Sequence, residues 1–144
     1  MIRHTMRALC AATLVITPLI VTATPAHALS ACTVNGRPVA GTTINGTAGS
    51  DFITCGAVAA GDTVNGLGGD DYIVITGTVA GTIDGGDGRD YITADAGVTG
   101  TGRILGGAGA DFLRVGANAG TVDGGPGTDF CRVASGNQPV NCEA

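Results

Sequence analysis

The chain has 144 residues, 26 of them glycine, with twelve acidic against seven basic side chains and a net charge of −5. It has no lysine, so it lacks the basic surface that a phosphate backbone demands, and nucleic acid is not an expected partner. Scarce helix formers exclude a helical bundle, recurrent Ile, Val and Leu exclude disorder, and glycine without a three-residue period excludes a collagen-like rod.

Residues 1–28 read as a secretory signal, with Arg3 and Arg7 before an apolar stretch and a small-x-small site at Ala26-His27-Ala28. The stretch, residues 8–21, contains Pro18 and falls short of the roughly 20 residues that cross a bilayer, so no membrane span is expected. Cleavage after Ala28 leaves one small domain with all the glycines, no histidine, five arginines and twelve acids, a charge of −7. It also leaves Cys32, Cys55, Cys131 and Cys142, an even set suited to disulfides outside the cell. The competing reading takes Leu29-Ser30-Ala31-Cys32 as similar to a lipobox, with a lipid anchor on Cys32. That would strand one of the three remaining thiols, so free secretion is the expectation.

Residues 29–43 read as an N-terminal cap with an incomplete coil, in which Val34-Asn35-Gly36 leads to Val39-Ala40-Gly41. Regularity begins at Ile44. Within 44–133 one phrase (apolar, polar, Gly, x, x, Gly, x, Asp, aromatic, apolar) recurs five times, at 44–53, 64–73, 83–92, 104–113 and 122–131. A repeat of this period is the mark of a solenoid, each unit burying its apolar edge on its neighbours. The reading is all-β: about five coils of 18–21 residues, two short parallel sheets and a thin core between them.

The coil at residues 82–100 shows the pattern. Thr82-Ile83-Asp84 is a strand, residues 85–90 a tight turn, and Tyr91-Ile92-Thr93-Ala94 a second strand with Ile92 and Ala94 inward. Stacking aligns Ile44, Val64, Ile83, Ile104 and Val122 in one inner file, and Ile53, Ile73, Ile92, Leu113 and Cys131 in another. The opposite turn carries Val39, Val58, Val79, Val98 and Asn118 and has no regular acid.

Stacking also puts Asp51, Asp71, Asp90, Asp111 and Asp129 in one column, spaced about 4.8 Å apart along the ladder. Like charges at that distance need a positive charge between them. Calcium suits the place: it takes six to eight oxygens at roughly 2.3–2.6 Å, which glycine-rich turns supply as carbonyls and Asp as short carboxylates. Five stacked turns leave four gaps, hence up to four ions. The first gap, between the two least regular turns, is expected to be the weakest.

Gly85-Gly86-Asp87-Gly88-Arg89-Asp90-Tyr91-Ile92-Thr93 resembles the RTX (haemolysin-type) calcium-binding nonapeptide, Gly-Gly-x-Gly-x-Asp-x-apolar-x. Residues 106–114 and 124–132 follow it apart from Cys131 in the apolar slot, whereas Leu67 and Thr47 replace the second glycine in the earlier copies. The resemblance implies a right-handed parallel β-roll with calcium between successive turns. The five aspartates would then be ligands, with backbone carbonyls from the first four turn positions. Those are Gly46 and Ala48; Gly66 and Gly68; Gly85, Gly86, Asp87 and Gly88; Gly106, Gly107, Ala108 and Gly109; and Gly124, Gly125, Pro126 and Gly127. Family members usually carry such turns on both sides of the roll; here only alternate turns match, which implies a single ion column. RTX toxins and proteases also use a C-terminal export signal, so their activities do not carry over to a chain with an N-terminal one.

Residues 134–144 read as a C-terminal cap. Cys55 and Cys131 are four rungs apart, about 19 Å, well beyond the roughly 7 Å limit for a disulfide. The local solution pairs Cys32 with Cys55 and Cys131 with Cys142, tying each end of the roll. Phe52, Tyr72, Tyr91, Phe112 and Phe130 fill one outward slot, read as a stacking ladder or as a docking stripe for a cell-surface glycan or protein.

A mature chain without His or Lys, and with Glu143 as its one glutamate, offers no nucleophile beside a base. The expected function is therefore a secreted, non-catalytic calcium-binding module, structural or interacting. The alternatives are a cell-envelope adhesion module acting through the aromatic stripe and, more remotely, an ice binder using Thr43, Thr63, Thr82 and Thr121, a file broken by Arg103.

Overall fold

The computed structural model describes residues 29–143; the signal read at 1–28 lies outside the described residues. A hairpin opens the fold, β1 (Ser30–Val34) and β2 (Arg37–Gly41). Short strands then alternate between two sheets. β3 (Thr43–Asn45), β5 (Thr63–Asn65), β7 (Thr82–Asp87), β9 (Arg103–Ala108) and β11 (Thr121–Asp123) form one. The other contains β4 (Phe52–Cys55), β6 (Tyr72–Ile75), β8 (Tyr91–Ala94), β10 (Phe112–Asn118) and β12 (Phe130–Gly136), with the hairpin at its edge. No helix occurs among the described residues. This is a parallel β-solenoid of about five coils.

The register is the one the repeat dictates. Ile44, Val64, Ile83, Ile104 and Val122 pair in sequence, as do Ile53, Ile73, Ile92, Leu113 and Cys131. β-Branched residues favour such pleated, half-buried surfaces, and all of these except Cys131 are buried. The core has a third wall, because Val58, Val79 and Val98 bridge successive coils at the opposite turn and are buried too. Val39 lies outside that file and is exposed.

Residues 30–41 do not form an incomplete coil. β1 pairs antiparallel with both β2 and β4. Asn35 and Gly36 have φ of 51° and 77°, the left-handed pair that a two-residue hairpin turn requires and that Asn-Gly supplies at low cost. This hairpin covers the edge of the first coil, which would otherwise present unpaired backbone groups. It sets Cys32 opposite Cys55, and those two are disulfide-bonded, as are Cys131 and Cys142 at the other end.

Candidate metal centre

Each glycine-aspartate turn joins a strand of the smaller sheet to the next strand of the larger one, so the aspartates repeat at one place in every coil. They do not face water: Asp51, Asp71, Asp90, Asp111 and Asp129 are each 1–4% exposed. Such burial rules out a row of solvated turn caps, since ionised carboxylates leave water only when paired or hydrogen-bonded.

The two oxygens of each carboxylate have different fates. Oδ1 is satisfied by backbone: the N–H of Asp51 donates to Asp71 Oδ1, Asp71 to Asp90, Asp90 to Asp111 and Asp111 to Asp129, each at 2.8 Å. Oδ2 is not. In Asp71, Asp90, Asp111 and Asp129 it is buried with no hydrogen-bond partner. Beside it sits the first glycine of the turn. A Cβ on Gly66 would lie under 3.0 Å from both Asp71 Oδ2 and the carbonyl of Gly85 in the next coil. Gly85 stands likewise toward Asp90 Oδ2 and the Gly106 carbonyl, and Gly106 toward Asp111 Oδ2 and the Gly124 carbonyl. A carboxylate oxygen and a carbonyl oxygen thus converge on space that only glycine leaves open. Both are acceptors, so the pair suits a proton or a cation.

The electrostatics agree. Burial raises the carboxyl of Asp90 from 3.8 to about 6, partly offset by the donated N–H of Asp71 and reinforced by the charges of Asp111 and Asp71. Burial likewise raises Asp71 and Asp111 above the ordinary range, again against a lowering backbone hydrogen bond.

The remaining sequence-predicted oxygens scatter. Among the turn carbonyls, those of Gly66, Gly85, Gly106 and Gly124 converge on the Oδ2 atoms. The carbonyls of Asp87, Ala108, Gly109 and Pro126 accept inter-coil N–H groups, and that of Gly124 also accepts one, from Gly107 at 3.2 Å. Gly46, Ala48, Gly68, Gly86, Gly88, Gly107, Gly125 and Gly127 lie in the turns without a comparable approach of their carbonyls to an unpartnered Oδ2. Among the described residues no three His, Cys, Asp or Glu side chains gather as a ligand set. Backbone oxygen would therefore supply most of any cation's shell, as a hard ion accepts.

Two participants were not legible in the sequence. Asn35 donates its side-chain amide to Asp51 Oδ1 at 2.5 Å and accepts from Phe52 N–H at 2.9 Å, closing the top of the aspartate ladder. Glu143 closes the bottom by accepting the N–H of Asp129. Neither stands in the repeated motif, so periodicity carried no signal for them.

The aromatic slot stacks as a continuous column from Phe52 to Phe130, with ring centroids 4.8–5.5 Å apart. Phe52, Tyr72 and Phe130 are exposed. Thr93, in the file beside these rings, is covered at 5% exposure.

Compared with known proteins, the chain matches the sequence profile of the RTX calcium-binding nonapeptide repeat in four copies, across residues 59–74, 76–98 and 96–131. No curated protein and no solved structure matches it.

Proposed function

Because the chain belongs to the RTX calcium-binding nonapeptide repeat family, we propose that it is a secreted, non-catalytic module whose coils are locked together by calcium held between stacked turns. The observation that carries this reading is the row of unpartnered, buried Oδ2 atoms on Asp71, Asp90, Asp111 and Asp129. Three of them meet a glycine carbonyl of the following coil. Bound calcium would supply the positive charge that this column of acceptors lacks. The chain's own contribution is geometric. Backbone N–H groups fix each carboxylate through Oδ1 and aim Oδ2, while the turn glycines let the next coil's carbonyl approach. The coils then resist separation, because parting two of them would split each cage.

Metal that binds the folded but not the unfolded chain is folding free energy. Calorimetric titration with calcium, followed by far-ultraviolet dichroism in chelator, tests the proposal. Saturable uptake with a gain in strand signal or melting temperature supports it; full strand content in chelator, with no heat of binding at millimolar calcium, overturns it.

A second reading, a cell-surface adhesion module, draws on the exposed stacked rings of Phe52, Tyr72 and Phe130. Alanine at Phe52, Tyr72 and Phe130 would then abolish cell-envelope binding while leaving the calcium isotherm intact. Unchanged retention of this variant on cell envelopes refutes that role.

A further inference from the structure

The last aspartate has no repeat after it, yet the C-terminal tail is built there as if it were one. Gly124 N–H donates to Val140 O at 3.0 Å, as Gly66 N–H donates to Asp84 O at 2.8 Å in the body of the roll. Glu143 N–H donates to Asp129 O at 2.7 Å, as Phe130 N–H donates to Asp111 O at 2.8 Å. Val140 and Glu143 bridge in parallel to Asp123 and Phe130. The Glu143 carboxylate takes the Asp129 N–H where a further aspartate would. A Cβ on Gly124 would lie under 3.0 Å from both Asn141 O and Asp129 Oδ2, the convergence found at Gly66, Gly85 and Gly106. Asp129 is 1% exposed and its Oδ2 has no partner. The Cys131–Cys142 disulfide pins the tail in this place, and Asn141 Nδ2 holds it to Asp123 Oδ1 at 2.8 Å.

The first gap has the same convergence, a Cβ on Gly46 lying under 3.0 Å from Asp51 Oδ2 and the Gly66 carbonyl, but its carboxylate oxygen is not left unpartnered. In the later turns the second position is left-handed, with φ of 80° at Leu67, 102° at Gly86, 107° at Gly107 and 96° at Gly125. Thr47 is not among the left-handed residues, as expected of a β-branched side chain, for which positive φ is a steric outlier. Its N–H and hydroxyl both turn onto Asp51 Oδ2, at 2.5 Å and 3.0 Å. That oxygen is already satisfied.

We infer that the tail completes a hard-cation site on Asp129, made of its Oδ2, the Asn141 carbonyl and the Glu143 carboxylate, and that Thr47 closes the first inter-repeat gap to metal. The inference rests on the calcium reading and deepens it: the ion column is shifted by one place from where the repeats put it. The expected count stays at four, one per unpartnered Oδ2.

Equilibrium dialysis of the full chain against saturating calcium tests the shift. The wild type, Asp129→Asn, Glu143→Gln and Asp51→Asn are compared for calcium bound per chain. Asp129→Asn keeps the Oδ1 acceptor and is expected to bind one ion fewer than wild type, while Asp51→Asn binds the same number. Glu143 is exposed, so Glu143→Gln should fold in any case; it is expected to weaken one site at least tenfold and leave the others unchanged. Undiminished binding by Asp129→Asn or by Glu143→Gln overturns the tail site, and loss of an ion in Asp51→Asn overturns the closed first gap; both results leave the calcium module standing. No uptake by wild type overturns module and inference together.

Discussion

Asp90 carries two opposite demands, a proton when calcium is absent and, in the proposed module, the ion when it is present. With its carboxyl raised to about 6 by burial, the calcium-free fold holds its proton more tightly than the unfolded chain, whose value is 3.8. Asp71 and Asp111 shift in the same direction. A raised folded pKa contributes stability that is present in full below 3.8 and is lost as pH rises through about 6. Thermal unfolding in chelator should therefore show a melting temperature that falls across this window. A flat or rising profile contradicts the buried-carboxylate account. In calcium the sense reverses, because the ion competes with the proton, and apparent affinity should rise over the same range. Asp90→Asn separates the two regimes: it removes a buried charge, so the chelator-treated protein melts higher, yet the variant loses an ion and melts lower than wild type in calcium. A variant that melts lower under both conditions would make Asp90 a purely structural residue.

A coil works as an element because its turn leaves room for the next one. Gly85 shows this: a methyl group there would collide with Asp90 Oδ2 and the Gly106 carbonyl. Gly85→Ala should cost at least about 2 kcal/mol, as overpacking does, and should remove binding in that gap. Gly56, on the far side of the coil, has open space where a methyl group would stand, with no atom within 4 Å, and no left-handed φ. Gly56→Ala should stay within about 1 kcal/mol of wild type, tending toward stabilisation through the unfolded state. Urea titration of the two variants checks the contrast, and equal costs would refute the cradle. The aromatic column belongs to this scale too. Near-parallel rings at 4.8 Å between Tyr72, Tyr91 and Phe112 stiffen the sheet through cross-strand contact.

For the whole molecule, the ends matter most. A stack of identical coils has two open faces, and both are closed by non-repeat chain held by a disulfide: the hairpin through Cys32–Cys55 and the tail through Cys131–Cys142. Small scaffolds with thin cores depend on such ties. With partners 23 and 11 positions apart in sequence, each bridge is expected to contribute ~3 kcal/mol by loop entropy. Reduction in calcium should lower the melting temperature, and Cys131→Ser with Cys142→Ser should also weaken the tail site. Melting that is indifferent to reductant would show that the caps hold without covalent help.

The repeat itself determined the solenoid, the register of every inward file, the aspartate column and the disulfide pairing, because stacking forces equal positions of equal phrases into contact and keeps distant rungs apart. Only the tertiary structure decided that the carboxylates turn inward, that Asn35-Gly36 reverses the chain into a hairpin, and that residues 140–143 act as a sixth turn. The reason is that these depend on non-repeated residues. Asn35 and Glu143 each meet the column at one end, through hydrogen bonds to partners 16 and 14 residues away, and a contact made once leaves no period to read.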